Sequence, residues 1–152
     1  NELHFWTMSD IVPSSFPIQL TTSGLNLFFP GLESYYGPNL PIDIEYRLLK
    51  AGDVQMKEND QTVSFKGDMA VNFWVQMANS TQEIAVAITV KNFDGNGTIL
   101  IEDMILKSSI ISAQIEEILV NSTTFGDLNL DLLTALLNQG IDLGVPFLNN
   151  YL

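Results

Sequence analysis

The segment NFDGNGTILIED, residues 92–103, decides the fold because two unrelated structures fit it. Asparagine and aspartate occupy its first, third and fifth positions, Gly97 the sixth and Asp103 the twelfth, as in a calcium-binding EF-hand loop. The Asp-Gly and Asn-Gly pairs are equally typical of a tight β-hairpin turn, because these residues tolerate positive φ. An EF-hand requires an amphipathic helix on each side and a hairpin requires strands, so the flanking residues separate the two.

The residues before this segment alternate between apolar and smaller or polar side chains, which is the pattern of a β-strand. The apolar positions are Ile84, Val86, Ile88 and Val90. Residues 98–111 are again apolar and β-branched, and their alternation changes phase near Glu102, which predicts a β-bulge there. We therefore predict a strand on each side, a hairpin turn within residues 92–98 and no calcium loop.

The same period of two predicts two earlier strands, at residues 42–48 and 69–77. Turn-rich residues at 57–60 and 78–81 separate the strands from their neighbours. No uninterrupted apolar run reaches the roughly 18 residues that a membrane-spanning helix needs. The middle of the chain is therefore predicted to be an antiparallel sheet.

The two ends of the chain predict helices. Residues 25–36 predict one or two short helical turns, interrupted at Pro30 and closed by Gly37. A C-terminal helix is predicted from leucines that share one helical face, with Asn129 or Asp127 as its N-cap. These leucines are Leu130, Leu133, Leu136 and Leu137. Gly140, Gly144 and Pro146 predict a break or kink later in this helix.

Composition limits the classes of function. The net charge of −12 repels phosphate backbones and argues against a nucleic-acid partner. The chain has no cysteine and a single histidine, His4, so it cannot form a disulfide, a thiolate or multi-histidine metal site, or a Cys–His catalytic pair. It also lacks the nucleophile-elbow, phosphate-loop and dinucleotide-binding motifs. We predict a protein that is not an enzyme and uses no cofactor or metal.

Three acceptor sequences for N-glycosylation begin at Asn79, Asn96 and Asn121. Each lies at a predicted turn or strand end. They favour a glycosylated protein that is secreted or luminal.

Several segments, in the same order, resemble the second barrel of the family that contains bactericidal permeability-increasing protein, lipopolysaccharide-binding protein and the plasma lipid-transfer proteins. Residues 104–110 match a leucine-rich strand ending, and 130–138 match the start of the family's long helix. The segments are DIVP (10–13), QLTT (19–22), LFFP (27–30), MILKSSI (104–110), LDLLTALLN (130–138) and VP (145–146).

This resemblance implies an α+β fold, in which a strongly twisted antiparallel sheet wraps around a long amphipathic C-terminal helix. It implies that residues 1–152 form one tubular lipid-binding module, incomplete at both ends, with a companion N-terminal module. Family members bind phospholipid or other acyl lipids in apolar pockets and are usually secreted. The basic tip of the endotoxin-binding members belongs to the first module, and nothing in this chain supplies one.

The leading hypothesis is therefore a non-enzymatic lipid-binding or lipid-transfer module that holds acyl chains in an apolar cleft between sheet and helix. The expected lining residues are Phe28, Phe29, Phe73, Val75, Leu133, Leu136 and Leu137. The alternative is a glycosylated structural or adhesive component of an extracellular assembly, with an interior filled by its own side chains. Room for hydrocarbon between sheet and helix separates the two hypotheses.

Overall fold

Two long neighbouring strands organise the protein. The computed structural model describes residues 4–50 and 53–150, and within them seven strands form one antiparallel sheet. The strands are β1 (His4–Thr7), β2 (Ile42–Lys50), β3 (Val54–Lys57), β4 (Thr62–Gln76), β5 (Gln82–Glu102), β6 (Ile105–Gln114) and β7 (Glu117–Thr123). The helices are a 3-10 turn at Ser9–Ile11, α1 (Leu32–Tyr36) and α2 (Leu130–Asn149).

Strands β4 and β5 pair along almost their whole lengths. The other edge of β4 pairs with β2 and then with β3, and β1 lies beyond β2. The other edge of β5 pairs with β7 and then with β6. The sheet is not closed into a barrel, and α2 lies against β6 and β7.

Strands β2 and β4 confirm the two earlier predicted strands, and turns at residues 58–61 and 78–80 confirm the predicted connections. The short helix α1 lies within the predicted segment 25–36. Gly31 and Gly37 flank it with φ of 98° and 96°, a conformation that glycine adopts without strain.

The predicted hairpin turn within residues 92–98 is wrong, because β5 continues unbroken from Gln82 to Glu102. Asp94 to Gly97 pair with β4 on one side and β6 on the other. A Cβ atom on Gly97 would lie 2.6 Å from the carbonyl oxygen of Ser109. Glycine is therefore needed here for close approach of two strands at a β-bulge, and not for a turn.

The chain instead turns where a bulge was predicted. Asp103 and Met104 both have positive φ, 51° and 63°, and Glu102 pairs directly with Ile105. This is the backbone of a two-residue hairpin connection. The change of phase near Glu102 therefore marks the reversal of the chain.

Helix α2 is continuous from Leu130 to Asn149, so the predicted break does not occur and Pro146 lies inside the helix. Asn129 is the N-cap: its side-chain oxygen accepts a hydrogen bond from the backbone N–H of Leu132 at 3.0 Å. The side chain of Asn149 holds the last turn to Ile110 of the sheet, which offsets the loss of the backbone hydrogen bond that Pro146 removes.

Two asparagines of α2 fasten the helix to the backbone at one edge of the sheet. The side-chain amide of Asn138 accepts from the N–H of Ile115 at 2.7 Å and donates to its carbonyl at 2.9 Å. Asn149 makes the same pair of bonds to Ile110, at 2.7 and 2.8 Å. Eleven residues are about three helical turns, so both amides lie on one side of α2. They satisfy backbone groups that the sheet leaves unpaired.

On the other face of the sheet, a buried carboxylate joins β1, β2 and β4. Glu45 accepts hydrogen bonds from Asn72 at 2.9 Å and from the Trp74 indole N–H at 2.8 Å, and its other oxygen lies 2.6 Å from His4 Nε2. Burial alone would raise the pKa of Glu45. The hydrogen bonds from Asn72, Trp74 and His4 outweigh it, so the pKa lies below its ordinary value of 4.5.

Because of this cluster, we expect part of the free energy of unfolding to depend on pH in the acid range. A folded-state pKa below the unfolded-state value means that the unfolded chain binds more protons between the two values. We therefore expect Glu45 to stabilise the fold above pH 4.5 and to lose that contribution as the pH falls through its lowered pKa. Glu45→Gln should destabilise the protein at neutral pH, with a difference from the wild type that shrinks in acid.

Urea unfolding at a series of pH values measures this difference. Glu58→Gln, in the exposed turn after β3, is the control for removing one negative charge. A Glu45→Gln difference that stays constant from neutral to acid pH would contradict the assignment.

Candidate functional site

An apolar cavity of about 840 Å³ lies between the sheet, α2 and residues 11–29, which we call the N-terminal segment. Twenty-five described residues line it, and of their side chains only Thr7 and Tyr46 carry a hydroxyl. No lining residue is charged. A cavity of this size falls within the range of about 300–1,000 Å³ that is typical of small-molecule sites.

The sheet wall comes from alternate residues of three adjacent strands. Ile44 of β2 pairs with Phe73 of β4, and Val71 of β4 pairs with Ile88 of β5. Directly paired residues of an antiparallel sheet project to the same face, so the period of two in each strand produces one continuous apolar surface. Met69 and Val90 extend this wall toward β6.

The helix wall is a stripe at helical spacing. Leu137, Gly140, Ile141 and Val145 line the cavity from α2, at intervals of three and four residues. A Cβ atom on Gly140 would lie 3.3 Å from two ring atoms of Phe28. Glycine at this position therefore allows α2 to pack closely against the Phe28 ring.

The third wall comes from the N-terminal segment, which also places the opening of the cavity. Phe29 is 1% exposed, and its ring meets that of Phe73 edge to face with centroids 4.8 Å apart. Ile11 lines the cavity but is 65% exposed. The cavity therefore opens to solvent beside Ile11 and Pro13.

The two hydroxyl groups of the wall are close to each other. Thr7 donates to the hydroxyl of Tyr46 at 3.4 Å, and burial raises the pKa of Tyr46 above its ordinary value of 10. Tyr46 is therefore neutral at physiological pH. The wall therefore offers mainly hydrocarbon contacts, and these two hydroxyl groups are its only polar side-chain groups among the described lining residues.

Four of the seven residues expected from the sequence line this cavity: Phe28, Phe29, Phe73 and Leu137. The other three do not. Val75 and Leu133 are 0% and 2% exposed in the packed core, and Leu136 is a partly buried residue against that core. The assignment of lipid contacts to particular side chains stays a prediction.

Sequence reasoning missed most of the sheet wall and the role of Gly140. Val71 belongs to the same alternating run as Phe73, and Ile88 and Val90 belong to the next run, so the period of two already placed each set on one face of its own strand. Gly140 carried a signal too, since an interior helical glycine costs about 1 kcal/mol relative to alanine. The sequence alone predicts a break or kink of the helix at Gly140, whereas α2 continues through this residue.

The three predicted glycosylation sites differ in accessibility. Asn79 is exposed in the turn between β4 and β5, where its side-chain oxygen accepts hydrogen bonds from Thr81. Asn121 is exposed on β7, but its amide donates to Thr89 at 3.0 Å. Asn96 is half-buried inside β5, and its amide donates to Asp94 and Ser112. Asn79 is the most accessible of the three acceptors.

Within residues 4–50 and 53–150, no group of three or more His, Asp or Glu side chains is placed to hold a metal ion. No helix in that part of the chain is both long and apolar enough to cross a membrane.

An open antiparallel sheet with one long helix beside an apolar cavity defines an α+β module. The sequence model of the C-terminal domain of the LBP/BPI/CETP family matches residues 2–152, and the chain belongs to this family. The predicted resemblance and the predicted fold class are both confirmed. Members of the family are lipid-binding proteins rather than enzymes.

A crystal structure of lipopolysaccharide binding protein has the same fold, with a TM-score of 0.69 and 18% sequence identity. The match covers 97% of this chain and 33% of that protein, so the chain spans about a third of its length. Comparison with curated proteins gave no significant match.

Proposed function

We propose that the protein is a non-enzymatic lipid carrier that holds acyl chains in the apolar cavity between the sheet, the N-terminal segment and α2. The observation that supports this proposal is the cavity of about 840 Å³, with a wall that is almost entirely hydrocarbon. An unfilled interior favours a carrier over a structural or adhesive component, for which we expect an interior filled by the protein's own side chains.

The volume limits the ligand. At roughly 30 Å³ for each methylene group, about the volume of one liquid water molecule, the cavity holds on the order of 28 methylenes. This is enough for one long acyl chain or two shorter ones. We therefore propose a phospholipid or another acyl lipid as the ligand.

The chemistry of the wall favours the tails over the headgroup. Each methylene that leaves water contributes about 0.8 kcal/mol, so ten buried methylenes contribute roughly 8 kcal/mol before the entropy cost of binding. A headgroup finds no charged partner inside the cavity, and it stays in water at the opening beside Ile11. Recognition by chain length and volume follows, with little selection among headgroups.

The experiment is native mass spectrometry of the purified full-length protein, together with lipid extraction and uptake of a fluorescent fatty acid. We expect a co-purifying acyl lipid, or stoichiometric uptake of the probe, that competes with unlabelled fatty acid. Absence of both would contradict the carrier function.

We also propose that the protein is extracellular and carries a glycan at Asn79. We further propose that it functions together with a companion module of the same family. Accessibility of Asn79 supports the modification, and the match to a third of lipopolysaccharide binding protein supports the companion. Peptide mass spectrometry of secreted protein, with Asn79→Gln as the comparison, tests for the glycan. An unmodified Asn79 in secreted protein would contradict it.

A further inference from the structure

The two hydroxyl side chains of the cavity wall lie side by side on the sheet. Thr7 of β1 pairs directly with Ile44 of β2, and Tyr46 follows Ile44 by two residues, so all three project to the cavity face. Thr7 and Tyr46 are therefore diagonal neighbours on adjacent strands, within reach of each other. Their oxygens lie 3.4 Å apart, with Thr7 as the donor and Tyr46 as the acceptor.

This contact leaves one hydroxyl hydrogen of the pair unused. Each hydroxyl group can donate one hydrogen bond, and the bond between Thr7 and Tyr46 takes up only the hydrogen of Thr7. Among the described residues, the phenolic O–H of Tyr46 has no acceptor of its own. Apart from Thr7, the described side chains that line the cavity carry no oxygen or nitrogen atom. The acceptor for this O–H must therefore come from the contents of the cavity.

Loading of the cavity makes this donor selective. In an open cavity, water satisfies such an O–H until a ligand displaces the water. A tail of pure hydrocarbon beside Tyr46 then leaves the O–H unpaired in apolar surroundings, which is unfavourable for a polar group. A lipid that places an oxygen atom there restores the hydrogen bond. Tyr46 therefore favours a ligand with an oxygen acceptor at this level of the cavity.

The position and charge of the cavity wall indicate which oxygen this is. Thr7 precedes Ile11, beside the opening, by four residues, a backbone separation of at most about 14 Å. When a headgroup stays in water at the opening, the first oxygens inside are the carbonyls that join the acyl chains to it. No lining residue is charged, so a neutral ester carbonyl fits this place better than a carboxylate.

We propose that Tyr46, positioned by Thr7, donates a hydrogen bond to an ester carbonyl of the bound acyl lipid. This contact selects ester-linked acyl chains over alkyl chains that lack a carbonyl. The proposal rests on the carrier function, because it assigns a polar contact within the same cavity. Volume then determines how much hydrocarbon is held, and the O–H of Tyr46 determines the linkage and the depth at which the lipid sits.

The test uses two ligands that differ only in the carbonyl group. They are a short-chain diacyl phosphatidylcholine and its dialkyl ether analogue, each kept below the concentration at which it forms micelles. Isothermal titration calorimetry on the full-length protein measures both dissociation constants. We expect the diacyl lipid to bind the wild type about tenfold more tightly, the effect of one neutral hydrogen bond whose loss leaves a buried donor unpaired.

Tyr46→Phe removes the phenolic hydroxyl and keeps the ring in the wall. We expect this variant to bind the two ligands with equal affinity, because only the diacyl lipid loses a hydrogen bond. Thr7→Val keeps the shape of the side chain and removes the donor that orients Tyr46, so it should reduce the preference without abolishing it. The control is Tyr35→Phe, which removes a phenolic hydroxyl from a side chain that is 58% exposed outside the cavity. It should keep the wild-type preference.

The outcomes separate this proposal from the carrier function. Equal affinity of the wild type for the two ligands would overturn the proposal and leave the carrier function intact. A preference that persists in Tyr46→Phe would also overturn it, even if both ligands bind more weakly, because Tyr46 would then only fill space. Absence of binding of either ligand and of a fluorescent fatty acid would refute the carrier function itself, and this proposal with it.

Discussion

Gly140→Phe should weaken binding of a fluorescent fatty acid on the order of 100-fold. A Cβ atom at this position already lies 3.3 Å from the Phe28 ring, so the new ring must displace Phe28 or project into the cavity that both residues line. If the ring displaces about four methylenes of the bound acyl chain at ~0.8 kcal/mol each, the binding free energy falls by roughly 3 kcal/mol, or about two powers of ten in affinity.

Stability and binding should change in different directions in this variant. Removing an interior glycine from a helix is worth up to about 1 kcal/mol, which offsets part of the cost of crowding Phe28. Gln139→Leu, at the exposed neighbouring position, adds an apolar side chain outside the cavity and should leave binding unchanged. Wild-type affinity in Gly140→Phe, measured by probe titration, would show that acyl chains bind elsewhere.

Loss of both asparagine bridges should produce the largest drop in stability. Replacing Asn138 and Asn149 together by leucine leaves the N–H and carbonyl groups of Ile110 and Ile115 without their partners. Four hydrogen bonds at roughly 1 kcal/mol each give about 4 kcal/mol, a large share of the 5–15 kcal/mol that holds a typical domain together. We expect a melting temperature lower by on the order of 10 °C.

Asn150→Leu is the matched control for this variant, because Asn150 is exposed immediately after the helix. Differential scanning calorimetry and urea unfolding measure the change. A double variant as stable as the control would mean that the packing of the apolar stripe alone holds α2 in place.

The strands were predictable because burial of one face makes apolar and polar side chains alternate along consecutive residues. Ile44 and Tyr46, or Val71 and Phe73, show it without any knowledge of their partners. The turn was not predictable in the same way. The sequence from Asp94 to Gly97 has local turn chemistry, yet pairing with both β4 and β6 holds it extended, and such long-range pairing leaves no local signal.

The cavity was predictable as a class of site and only partly as a set of residues. Apolar periodicity puts Phe73 and Val75 on the same face of β4, but it does not say which of them meets empty space. That depends on the neighbouring elements: Phe73 and Phe29 pack together in the cavity wall, whereas Val75 is fully buried in the core. Likewise, Leu133 and Leu137 share a helical face, but Leu133 is buried in the core and Leu137 lines the cavity. The helical period alone does not distinguish the two positions.

The asparagine bridges also determine how the cavity accommodates its contents. Among the described residues, Asn138 and Asn149 attach α2 by hydrogen bonds at Ile115 and Ile110, whereas Gly140 meets Phe28 and Ile18 by apolar packing. We expect a helix held by directional bonds along one side to tilt on its apolar side while the strands stay paired. A small tilt of this kind would enlarge the cavity and let it accept acyl chains of different lengths.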